Sequence, residues 1–132
     1  MSPILRAGRL ITPQLLVAAL LAALAGSALA IDAEDLRFDT TEDLYQVCAA
    51  DPASPAQLAC TGFIEATVQY HDGIANKRDM KRLICYSEGT TIGDGRAAFV
   101  TWAEANKGDA TLMGEQPVVG LVRALAEAYP CR

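Results

Sequence analysis

Four cysteines and one histidine are the residues of this sequence equipped to do more than pack. Cys48, Cys60, Cys85 and Cys131 stand 12, 25 and 46 positions apart. Thiolates can hold zinc, exchange electrons or close crosslinks. A structural zinc site draws on closely spaced pairs of the C-x-x-C kind, and no gap here provides one. The same lack removes a thioredoxin-like redox pair. An even number of cysteines in a small exported chain reads instead as a disulfide framework, for which three pairings satisfy the count. His71 would need a nucleophile or a metal partner to act in catalysis. The chain contains neither G-x-S-x-G nor H-E-x-x-H, and His71 falls on the inner face of a helix, beside Asp72. It reads as a histidine packed in the interior or in an interface. No catalytic residue, cofactor or metal site is expected.

The compartment follows from the first 30 residues. Arg6 and Arg9 precede an unbroken apolar run at residues 15–25, then Gly26, Ser27 and the small-residue site Ala28-Leu29-Ala30. This is the layout of a secretory signal peptide cut after Ala30. The run is about half of the roughly 20 apolar residues a membrane-spanning helix needs. The residues after it are acidic, with no basic stop-transfer flank. Arg6 and Arg9 are not adjacent, so a twin-arginine signal is absent and export is expected in the unfolded state. The division is therefore residues 1–30 as a leader and residues 31–132 as one domain. No membrane association is expected after cleavage.

The whole chain of 132 residues carries 11 Lys+Arg and 16 Asp+Glu, a net charge of −5. Losing the leader removes two arginines, which leaves nine basic against sixteen acidic residues, a net of −7. Such a surface repels phosphate backbones, so nucleic-acid binding is excluded. A hydrophobic content of 52% excludes a disordered chain.

The elements that hold the cysteines read as helices. Thr40 is an N-cap with Asp43 as its return partner, and Leu44, Val47 and Cys48 follow at helical spacing until Asp51-Pro52. Ser54 as a cap, Pro55 at the first helical position and Gln57 completing a capping box form a second start signal. Behind it Cys60, Phe63, Ile64, Thr67, Val68 and His71 share a face, opposite Glu65, Gln69, Asp72 and Asn76, in a helix reaching about Lys77. Gly62 in that helix offers a place for close helix approach. Leu83-Ile84-Cys85-Tyr86 reads as an extended segment without a partner strand, pressed onto the core by Cys85. Residues 88–95 read as a loop ending in a cap, with Asp94 the capping residue. A third helix turns Ala98, Phe99, Trp102 and Ala103 inward and ends at Lys107-Gly108-Asp109. A fourth begins at Pro117, with Val118, Leu121, Val122, Leu125 and Tyr129 as its inner stripe, and stops at Pro130. The fold class expected is all-α: a compact four-helix domain with two disulfides behind a cleavable signal peptide.

These placements select a pairing. Cys48 falls in the last turn of the first helix and Cys60 in the second turn of the next, side by side in an antiparallel pair. Cys85 and Cys131 remain for each other. In the chain-entropy model the two loops contribute roughly 3 and 4 kcal/mol. Lys77, Arg78, Lys81 and Arg82 read as cations at a helix C-terminus, favoured by its dipole. Leu112 and Met113, in a connection edged by Asp109 and Glu115, fit either a wedge into a partner's cleft or packing back onto the core. These four residues are the candidate partner contacts, with residues 88–95 as the other candidate loop.

In this order the pieces resemble the Rap/Tai group of periplasmic immunity proteins. The first helix ends in Cys48, and the second opens with Cys60-Thr61-Gly62-Phe63-Ile64. Leu83-Ile84-Cys85, Glu88-Gly89-Thr90-Thr91 and a helix from Phe99 to Trp102 follow. The last helix closes on Tyr129-Pro130-Cys131. Tyr86 departs from the group, which commonly has proline there, as does Asn106-Lys107, where His-Pro is frequent. The resemblance implies a periplasmic inhibitor that does no chemistry. It implies binding to a cell-wall-degrading, amidase-type effector of type VI secretion, and a homodimer. The alternative is a stand-alone envelope protein, such as a small acid-stress chaperone or a structural accessory factor.

Overall fold

The structure is a computed structural model, described here for residues 37–78 and 80–132. The expected leader, residues 1–30, lies outside the described residues. Five helices follow in order: α1 Thr41–Ala49, α2 Ala56–Arg78, α3 Ile92–Asn106, α4 Ala110–Met113 and α5 Pro117–Ala128. The all-α class and both crosslinks are as expected, with a one-turn helix, α4, added to the four. Among the described residues, strand pairing is confined to an isolated antiparallel bridge between Ile84 and Pro130.

The chain uses its polar residues to start helices. Thr40 Oγ1 accepts from the Asp43 amide at 3.2 Å while the Asp43 carboxylate accepts from the Thr40 amide at 2.9 Å, a full capping box. Thr91 and Asp94 repeat the arrangement at α3, at 3.2 and 2.8 Å. The helix therefore begins at Ile92, before the point the glycines suggested, and Asp94 is the return partner of the cap. Gln57 does not close a box on Ser54. Its amide donates to the Ala50 carbonyl at 2.6 Å, and Arg96 Nε donates to the Cys48 carbonyl at 2.8 Å. Two side chains from neighbouring helices thus satisfy carbonyls that α1 leaves bare at its end.

Thr41, Leu44 and Cys48 are the buried face of α1, at i, i+3 and i+7. This nine-residue helix touches all four others. Around Leu44 the core assembles Ile64 from α2, Phe99 and Trp102 from α3, and Leu121 and Leu125 from α5. The inward face of α5 is Pro117, Gly120, Leu121, Ala124 and Leu125. Val118, placed on that stripe from the sequence, instead faces outward at 40% exposure, because the small Gly120 takes the inner position. Gly62 has open space where a Cβ would be, so no helix approaches there. The close approach is at Gly120, whose missing Cβ would lie 2.3 Å from Oγ1 and Cγ2 of Thr41.

Two crosslinks close the fold. Cys48–Cys60 joins α1 to α2, and Cys85–Cys131 ties the extended segment to the C-terminus. Ile84, rather than Cys85, supplies the core contact of that segment: Ile84 is fully buried, while the Cys85 amide donates to the Tyr129 carbonyl at 2.9 Å.

Replacing Gly120 with Ala drives a methyl into a β-branched side chain that has few rotamers to retreat to. The expected loss in chemical denaturation is about 1–3 kcal/mol, with part returned by adding Thr41→Ala. The capping boxes set an acid response. Hydrogen bonds from Thr40 and Thr91, the leading cause at each site, hold the Asp43 and Asp94 carboxyls below the ordinary 3.8. A lowered folded-state value means stability that is present above pH 3.8 and lost as pH falls through that lowered value. Thermal unfolding between pH 5 and pH 2.5 should therefore fall less steeply in the double variant Asp43→Asn, Asp94→Asn than in the parent.

Candidate partner-binding surface

The connection that fitted either a wedge or packing back onto the core is a brace. Asp109 caps α4, its Oδ1 accepting from the amides of Thr111 and Leu112 at 2.9 and 3.1 Å. The turn this creates points Met113 inward, where it is 4% exposed and part of the core. Leu112 packs partly buried against the same cluster. The Glu115 carbonyl accepts from the Thr41 amide at 2.8 Å, and the Glu115 carboxylate takes both oxygens to Arg123 Nη2 at 2.9 Å. The four candidate residues are thus brought together, with Met113 and Leu112 beneath and polar Asp109 outside. Core packing, the second of the two readings of Met113, is what the structure places here. Met113→Ala should cost about 2–5 kcal/mol by denaturant titration, and Met113→Leu less than about 1.5 kcal/mol. A truncation without effect on stability would place this side chain outside the core.

The other candidate loop is equally well held. Gly89 takes φ +85°, a conformation other residues reach only with strain, and Thr90 Oγ1 donates to the Ser87 carbonyl at 2.8 Å. Behind the loop lies a cavity of about 120 Å³ between Tyr86, Ile92 and Leu125. Tyr86 packs against Tyr129 with ring centres 5.4 Å apart and planes tilted by 52°, and its buried hydroxyl has no hydrogen-bond partner among the described residues. Burial first, then the Asp72 charge, pushes the phenol up to about 12.

His71 joins helix to strap. Its Nε2 accepts from the Leu83 amide at 3.1 Å, which leaves the proton on Nδ1, 2.9 Å from Asp72 Oδ1. The same Asp72 oxygen accepts from Arg82 Nη2 at 2.6 Å. Asp72, expected on the wet face of α2, is thereby drawn to the segment at residues 80–84. Both imidazole nitrogens hold backbone or carboxylate in place. Among the described residues no cluster of three or more His, Cys, Asp or Glu is arranged to hold a metal.

One surface was not anticipated. Between the C-terminal half of α2 and the first turns of α5 runs a groove of about 310 Å³, floored by Thr67, Ile74, Ala75 and Val122. Tyr70 on its wall is 72% exposed, and Met80 and Leu83 are each 56% exposed. The signal in the sequence was the continuation of the α2 apolar stripe beyond His71, to Ile74, with only the short segment 80–84 following to cover it. Exposed apolar side chains gathered in this way mark a contact site more often than singly scattered ones do.

No helix among the described residues is long and apolar enough to cross a membrane. The model of the Rap1a immunity proteins matches residues 40–131. No curated protein and no solved structure matches the chain. The matched span opens at Thr40, the cap of α1, and closes at Cys131, the last crosslinked residue. It therefore takes in every helix and both disulfides described above, and the chain belongs to the family of Rap1a immunity proteins.

Proposed function

We propose that the protein is exported to the periplasm and there binds and occludes a cell-wall-degrading, amidase-type effector of type VI secretion. The observation that carries this reading is family membership over the whole described fold. Residues 1–30 serve as the leader, and residues 31–132 are the working domain. Two disulfides suit an oxidising compartment outside the cytoplasm. The protein works by occupancy and performs no chemistry. A free hydrolase turns over many substrates, so protection demands tight binding. The net negative charge speeds association with a basic target. The outer side of residues 107–116, with Asp109 exposed and Glu115 half-buried, forms part of the contact, held rigid by Leu112 and Met113 below. The working form is a homodimer.

The test is a pull-down of the exported protein against the wall hydrolases of competing bacteria, followed by hydrolysis assays. One hydrolase should co-purify with an affinity of about nanomolar or tighter, and equimolar protein should stop its activity. A protein that inhibits none of them, yet holds unrelated unfolding clients at pH 3, would favour the acid-stress chaperone instead.

A further inference from the structure

His71 is the joint by which α2 holds residues 80–84, and the joint closes in one protonation state only. A backbone N–H donates and has nothing to accept with. The 3.1 Å bond from the Leu83 amide therefore requires a lone pair on Nε2. With its proton on Nδ1, turned to Asp72, the ring in this structure is the neutral imidazole. The side chain is 11% exposed, so water has little room to take over either contact. We propose that His71 is an acid-operated latch: a proton added at Nε2 unhooks residues 80–83 from α2 and loosens the wall of the apolar groove.

The donors and charges around the ring set the direction. Protonated imidazole has two N–H groups and no acceptor. Nε2–H would then face Leu83 N–H, donor against donor, at a separation that suits only a donor and an acceptor. The added charge acts as well. On α2, Asp72 is the acid beside the ring, and its Oδ1 already accepts from Arg82 Nη2 at 2.6 Å. A charged His71 competes with Arg82 for that one oxygen. The segment also brings Lys81 to the groove, a further positive charge. Of the phenols nearby, Tyr70 lines the groove on α2, and Tyr86, pushed up to about 12, keeps its proton at any pH concerned here. From α5 the groove is faced by Val118 and Val122, which have no titratable group.

Release stays local because the segment has a second anchor. Ile84 is fully buried and bridges to Pro130, the Cys85 amide donates to the Tyr129 carbonyl, and Cys85 is bonded to Cys131. None of these contacts uses an imidazole. Residues 80–83 therefore move about Ile84 and carry Met80 and Leu83, each 56% exposed, away from the groove they wall. Histidine is the side chain whose ordinary charge change falls between pH 5 and 8, and His71 is the one histidine of the chain. The latch is a property of the chain itself, so it holds for either reading of the function.

The test is amide hydrogen exchange read by NMR on the full chain, expressed with its own leader and purified. Rates are normalised for the intrinsic pH dependence of exchange. Between pH 7.5 and 5 the protection of the Leu83 amide should fall about fivefold or more, while the Cys85 amide keeps its own. The fall should share its midpoint with the His71 ring titration, and the Met80 methyl signal should shift with it. In His71→Gln, whose side chain does not titrate, the Leu83 and Met80 responses to pH should both disappear. A Leu83 amide protected equally at both pH values, a Cys85 amide that loses protection alongside it, or a His71→Gln variant that keeps the pH response would each overturn the proposal.

Discussion

Thr41 is the point where the two ends of the domain are clasped together. It is fully buried, its amide and hydroxyl both reach the Glu115 carbonyl, and the hydroxyl also lies 3.2 Å from the Gln116 carbonyl. A buried threonine is tolerable only when its polar atoms are satisfied, and here the turn before α5 satisfies them. The contact requires the backbone of α5 to come within van der Waals distance, which Gly120 alone permits. With α1 fixed against α5, Leu44 and Cys48 fall onto the facing residues of α2, α3 and α5. The capping box at Thr40 then sets where α1 starts and hence which residue meets Gly120.

The remaining connections convert this clasp into a closed unit. Nine residues of α1 are too few for a helix that is stable by itself, so its shape depends on tertiary packing. The bonds from Gln57 and Arg96 to its final turn, and the crosslink to Cys60, supply that support from two neighbours. At the other end, Cys85–Cys131 and the Ile84–Pro130 bridge carry the extended segment across the C-terminus. His71 pins the same segment to α2. The strap is therefore held by a covalent bond at one side and by imidazole and carboxylate at the other. This rigidity would favour the proposed occlusion, since a preordered surface loses less conformational entropy on binding.

The four longer helices, the capping box at Thr40 and the disulfide pairing were legible in the residues because each rests on local spacing. A hydroxyl three positions before a carboxylate reports a helix start, and a four-residue apolar period reports a buried face. The cysteine pairing followed because a short connection forces neighbouring helices antiparallel, which brings Cys48 beside Cys60. Membership of the immunity family rested on the order of those same local pieces.

What the tertiary structure decided is which of several compatible faces and contacts were used. Met113 and Val118 are both apolar and both lie near a connection, yet Met113 is in the core and Val118 is outside. Their difference comes from the Asp109 cap, which turns Met113 inward, and from Gly120, which rotates α5 by admitting Thr41. Gly62 and Gly120 look alike in sequence, but only one meets another helix. The apolar groove exists because α5 and residues 80–84 stop short of covering the far end of α2. Spacing along one helix states which side chains share a face. It carries no information about how far a neighbouring element extends over that face, and that extent determines both the buried core and the surface left open to a partner.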